Sequence, residues 1–245
     1  MFFYNSFSDN LRKLRARHDL SPTIFANILG LKNKVSISNM ETGSTMPQYN
    51  TLVEISDFFG VSLDWLTGRT NEQYTLPTIE RIEDYLLNIA NHVNLRDTPD
   101  LIYFYYVAHL VLDFKNYHLF RNGFTLEERA DVIYALNFWR YASHRLHVEG
   151  YDSQRINIHC ALEEIDGLPD EDPPNALISK IAGILKKNFP SYQEQIQILS
   201  DSCSSKRAGT IFATECNYCI AILSQAYDKL KILPYIQSSK APEKT

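Results

Sequence analysis

The sequence predicts an all-α fold, and three observations carry that expectation. Apolar residues recur at helical spacing, glycines and prolines fall between those stretches, and no alternating strand pattern of useful length occurs. The first 70 residues divide into five short helices. Phe7 to Arg17 places Phe7, Leu11 and Leu14 on one face. Ser21-Pro22 starts the second helix, because a serine oxygen can cap it and proline is tolerated at the first helical position. That helix runs to about Leu29 and stops at Gly30, where a left-handed conformation costs little. A third begins near Asn33 or Lys34 and ends at Gly43. Pro47 precedes a fourth, about 49–59, stopped by Gly60, and Ser62 caps a last short one, Leu63 to Thr67, ended by Gly68. Leu11, Leu14, Phe25, Ala26, Leu29, Leu31, Ile37, Met40, Leu52, Ile55, Phe59, Val61 and Leu66 can supply a small core. Ala26 and Gly30 are small enough for a close helix crossing.

A polar stretch follows, with 71–77 as linker, and residues 78–245 are expected to form a helical dimerisation and regulatory domain. Its helices are placed at about 78–94, 99–118, 125–149, 153–166, 174–189, 191–201 and 208–233, interrupted by an acidic loop at 166–174. With 44% hydrophobic and 22% charged residues, wholesale disorder and fibrous repeats are excluded. The richest apolar stretch, Leu101 to Phe114, is too short to span a bilayer and contains His109 and Asp113, so no membrane association is expected. The N-terminus lacks a basic region followed by a small-residue cleavage site, which places the protein in the cytoplasm. Cys160, Cys203, Cys216 and Cys219 do not suggest a disulfide scaffold. The single Cys216-x-x-Cys219 pair lies in an apolar helical stretch, where buried structural thiols are expected rather than a metal or redox site.

The net charge of −5 is unevenly spread: residues 1–70 hold seven Lys/Arg against six Asp/Glu, so the acid sits outside them. Within that region Phe7, Leu11-Arg12, Leu14-Arg15, Leu20-Ser21, Phe25-Ala26, Leu29-Gly30-Leu31, Ile37-Ser38, Glu41, Gly43, Pro47, Leu52 and the closing Gly60-Val-Ser-Leu-Asp-Trp-Leu-x-Gly68 keep a shared order and spacing. They resemble the Cro/repressor (XRE) family of helix-turn-helix transcriptional regulators, over roughly residues 7–68. The resemblance implies a five-helix, lambda-repressor-like domain that binds double-stranded DNA, nucleoid-associated when bound. Its third helix would enter the major groove by its N-terminal turn. Lys32, Asn33, Lys34, Val35, Ser36, Ser38, Asn39, Thr42 and Ser44 are the implied DNA-binding residues. Lysine can donate to guanine, asparagine can pair with adenine and valine can pack on a thymine methyl. Lys34 reads as a base contact or a phosphate contact on equal terms. Arg15 and Glu41 occupy the positions of a family ion pair. Three departures stand out. The stretch Gly30 to Ile37 is one residue longer than the common spacing, which allows two registers one residue apart. Pro22 replaces a frequent phosphate-gripping glutamine, and Ser44-Thr45-Met46 replaces a loop that is often basic. Fewer cations weaken each monomer's hold on phosphate and favour binding as a homodimer.

The remainder carries no strand-rich self-cleaving peptidase, and Ala208-Gly209 has no such fold after it. No nucleophile–base constellation or phosphate loop stands out, so neither an enzyme nor a cofactor is expected. The histidines at 92, 109, 118, 144, 147 and 159 lie on or beside apolar faces. His144 and His147 with Glu149 have a spacing that can hold a metal, but surface or core histidines are the ordinary reading and no metal is expected. The aromatics Tyr103 to Tyr106, with Phe114, Tyr117 and Phe120, read as core or interface. Two functions fit residues 78–245: a dimerisation domain that receives a protein antirepressor, as in repressors of phages, pathogenicity islands and other mobile elements, or a helical sensor of a small molecule. The first is preferred, because no ligand motif is visible.

Overall fold

A computed structural model describes residues 2–92, 117–148 and 206–239, with a few single positions between 163 and 205. All regular structure among the described residues is helical: α1 (Phe2–Arg17), α2 (Pro22–Ile28), α3 (Lys34–Glu41), α4 (Tyr49–Phe59), α5 (Leu63–Leu66), α6 (Leu76–His92), α7 (Tyr117–Gly123), α8 (Leu126–Val148) and α9 (Lys206–Ser239). The expected helices over 99–118 (save its last two residues), 153–166, 174–189 and 191–201 lie outside the described residues apart from single positions, as do Tyr103 to Tyr106, Phe114, His109, His159, Cys160 and Glu149.

Local chemistry accounts for the helix ends. Ser21, Asn33 and Ser62 each accept a backbone N–H with the side-chain oxygen, satisfying donors that have no partner within the helix. Thr125 and Glu128 cap α8 reciprocally: Thr125 N–H donates to the glutamate at 2.8 Å, and Glu128 N–H donates to the threonine hydroxyl at 3.2 Å. Several boundaries differ from expectation, among them α7, which runs on to Gly123 past the expected end at 118, and α9, which spans Lys206–Ser239 against an expected 208–233. The first helix starts at Phe2 rather than Phe7, and the stretch 71–77 is already helical from Leu76, where the Thr75 carbonyl accepts from Ile79 N–H. Pro77 fits there because the first turn needs no donor from it. Gly30 is not required by a close crossing. An added Cβ would meet nothing within 4 Å, and what demands glycine is the φ of +61° that turns the chain between α2 and α3.

Helix α8 is the spine. Val132, Ile133, Tyr134, Ala135 and Leu136 are buried in succession, as in a helix covered on every side. It packs against α4 and α6 on one flank and α9 on another. Buried residues of α1–α5 and of α6–α9 form one continuous cluster, from Phe7 and Phe25 through Phe59 to Trp139 and Phe212. Of the core expected from sequence, Leu29, Leu31 and Leu52 are only partly buried. Cys216 and Cys219 are buried thiols outside any disulfide, and burial pushes the Cys219 thiol well above its usual range, which leaves it unreactive.

Candidate nucleic-acid interface

Helix α3 owes its position to the helices beneath it. Its apolar side is short: Ile37 and Met40 are buried, with Glu41 beside them. Arg15 of α1 grips Glu41 through two hydrogen bonds, Nε to Oε1 at 2.5 Å and an amino group to Oε2 at 3.2 Å. Its other amino group donates to the Leu20 carbonyl at 2.8 Å. A planar guanidinium suits this double contact. Ser8 donates to the Met40 carbonyl at 2.7 Å, and Arg12 to the Glu41 carbonyl at 2.5 Å. The C-terminal end of α3 is thus tied to α1 at several points, while its N-terminal turn stands clear.

Of the residues expected to meet DNA, Lys34, Val35 and Ser36 lie on that turn, Lys32 and Asn33 just before it, and Ser38, Asn39, Thr42 and Ser44 further along the helix or past its end. Lys32, Asn33, Lys34, Val35, Ser38, Thr42 and Ser44 are exposed, and Ser36 and Asn39 are half-buried. Val35 is 54% exposed, a large apolar side chain in solvent at the very start of the helix. Several of these side chains have work inside the protein. Asn33 caps α3 by accepting from Val35 and Ser36 N–H at 3.0 and 3.3 Å. Ser38 donates to the Lys34 carbonyl, and Thr42 bonds with the Asn39 carbonyl and the Ser44 hydroxyl. Ser44 and Thr45 N–H both donate to the Asn39 carbonyl, closing the chain after α3. The cap falls on Asn33 and Lys34 is the first helical residue.

The opposite side of this domain is buried against α8. His18 lies over Tyr134 with ring centroids 3.7 Å apart, and Phe59 stacks on the same tyrosine at 5.6 Å. Glu215 of α9 accepts a hydrogen bond from the Tyr134 hydroxyl and stands 3.9 Å from His18 Nδ1, which has no hydrogen-bond partner among the described residues. Burial, with the nearby Arg17 charge, lowers the His18 pKa to about 3; burial raises that of Glu215 to about 7. Arg17 reaches Asp131 at 2.8 Å and the Tyr74 hydroxyl at 2.5 Å, and Asn137 donates to the Asp57 and Phe58 carbonyls at the end of α4. Sequence reasoning passed over His18, Asp131, Tyr134 and Asn137. A signal was present, since 131, 134 and 137 recur at three-residue spacing and so share one face of α8.

This is the geometry of a DNA-binding helix-turn-helix domain: α2, a glycine turn, and α3 exposed along its outer side on a small core. The comparisons agree. Residues 11–66 match the family described as helix-turn-helix, so that part of the chain is similar to domains of the XRE kind. The chain is 40% identical over 68 residues to a Bacillus subtilis (strain 168) protein named as an uncharacterized HTH-type transcriptional regulator, YqaE. The matched stretch is 27% of this chain and 58% of that protein, so the chain spans little more than half of its relative. No solved structure matches. No described helix is long and apolar enough to cross a membrane.

Proposed function

We propose that the protein is a cytoplasmic transcriptional repressor of a phage or other mobile element that binds an inverted-repeat operator as a homodimer. The carrying observation is the exposed N-terminal turn of α3, with Lys34 and Val35 outward and its far end fixed by Arg15–Glu41. One such helix covers only a few base pairs, and two of them, about one DNA turn apart, roughly double the readout. Lys34, Val35 and Asn39 are the base readers, and Lys32 holds phosphate. Asn33 contributes mainly as the cap, with Ser36, Ser38, Thr42 and Ser44 at the edge of the contact.

Repression is relieved by a protein antirepressor acting on the helical region, the reading favoured by the absence of a ligand motif. A specific observation supports the second reading, a small-molecule effector: a cleft of about 490 Å³ lies between α2 and α4 on one side and α6 and α8 on the other. Selection of sites from random DNA by the full-length protein tests the main reading. The expected product is a palindrome. Asn39→Ala should relax one base pair per half-site by about 1–3 kcal/mol, whereas Lys32→Ala should weaken every sequence alike. Selected sites without symmetry, together with a monomer in light scattering at micromolar concentration, would sink the dimeric repressor.

A further inference from the structure

The cleft between the DNA-binding domain and α6–α8 has the size and lining of a ligand site. Its volume, about 490 Å³, falls in the range of pockets that enclose drug-sized molecules. Phe58, Ile82 and Leu86 give it an apolar wall, and Tyr85, 55% exposed, adds an aromatic ring. The polar groups around it are unequal in their commitments. Asp57 and Arg81 neutralise one another through a two-bonded ion pair. The Asn137 amide is given to the Asp57 and Phe58 carbonyls, and Glu54 is exposed to water. Arg140 is different: it is half-buried, lines the cleft, and makes no ion pair or hydrogen bond to a described residue. A partly desolvated guanidinium beside apolar surface is poorly compensated until an anion arrives, and its planar fork matches a carboxylate.

We propose that this cleft binds an amphipathic organic carboxylate, with the carboxylate on Arg140 and the apolar body against Phe58, Ile82 and Leu86. The site deepens the small-molecule reading above. Its two walls belong to the two parts of the chain whose relative position a regulator must control. The cleft also touches Ile28 and Leu29, at the end of α2 just before the turn into α3. A ligand seated there is bound to act on the helix pair that meets DNA, and operator binding must act back on ligand affinity by the same factor.

The test uses the full-length protein with 2-naphthoate and decanoate, each beside its neutral amide, titrated by calorimetry and by NMR. Both carboxylates should bind saturably at one site, at least about tenfold tighter than their amides, as expected for a charge-assisted contact. Arg140→Gln should abolish that preference while leaving the melting temperature and operator binding of the free protein unchanged. Arg69→Gln, whose arginine sits on exposed surface with Asp64, should leave carboxylate binding intact. The proposal is overturned if neither acid binds, if acids and amides bind alike, or if Arg140→Gln retains the preference. Operator titration with and without the acid is a separate arm. Carboxylate binding without any operator would refute the repressor reading and spare the site, whereas operator binding without carboxylate binding would do the reverse.

Discussion

The side of the N-terminal domain that carries α3 and the side that meets α8 are held by different means. On the first, polar side chains stand in water above one partly buried ion pair, Arg15–Glu41. On the second, His18, Phe59 and Tyr134 stack face to face, Gly60 lies against Ala130, and charged residues reach across to α8. The outer side can therefore change residue by residue with little effect on folding, because it carries few packed contacts. The inner side cannot. The difference implies that the surface proposed to read DNA and its attachment to the rest of the chain can be perturbed separately.

The strongest link behind that attachment joins α6 to α8. Arg129 holds Glu83 through two bonds of 2.7 Å, and both side chains are at most 3% exposed. Glu83→Ala strands the arginine in the core and should cost about 3–5 kcal/mol. Arg15→Ala on the outer side should cost less, about 2–3 kcal/mol, since its side chain is 22% exposed and water can replace part of what Glu41 loses. Urea unfolding of the two variants ranks them. If Arg15→Ala were the more damaging, the outer side would be the stiffer one.

Gly60→Ala strikes the joint from the other direction. Its φ is +65°, and an added Cβ would lie 3.1 Å from both Cα and Cβ of Ala130. The left-handed backbone and the contact with α8 act together, and a loss of about 2 kcal/mol is expected. Gly30→Ala shares the positive φ without the contact, so it should cost about 1 kcal/mol. Equal losses at the two glycines would show that α8 is not pressed against the domain in solution.

How legible each side was in the sequence follows from the same contrast. The helix ends depend on local rules: Ser21, Asn33 and Ser62 as caps, Gly30 and Gly60 as stops, and apolar spacing within each helix. Sequence reasoning found all of these except the Asn33 cap, since it placed the helix start only near Asn33 or Lys34 and gave Asn33 to DNA, and it placed Arg15 beside Glu41 through a resemblance. The inner side depends on which helix packs on which, and a chain read in one dimension does not contain that. Nothing in the one-dimensional pattern singles out His18, and the three-residue spacing of Asp131, Tyr134 and Asn137 does not say what they meet. Their roles exist only once α8 crosses α4. Gly30 divides the two kinds of reasoning: the left-handed stop expected there is present at φ +61°, while the close helix crossing also expected of it is not.

The ionisation of the joint gives the finest test. The unfolded chain protonates His18 below about 6.5, but the folded chain resists until about 3, so this residue lowers stability as pH falls through that window. Glu215 works the other way. The folded chain keeps its proton up to about 7 and the unfolded chain loses it above about 4.5, so this residue lowers stability as pH rises from 4.5 to 7. Between 4.5 and 6.5 the two slopes oppose each other at about 1.4 kcal/mol per pH unit each, and the intact joint should be nearly indifferent to pH there. Glu215→Gln keeps an oxygen for the Tyr134 hydroxyl but removes one slope, so its stability should climb with pH across that window. His18→Gln should do the reverse. Asp19, Asp131, Arg17, Tyr218 and Cys219, which surround the pair, are common to all three proteins, so differences between their urea midpoints isolate it. Parallel pH profiles for the three would mean that neither group is buried as this structure has it, and that α8 and α9 do not seal the inner side of the domain.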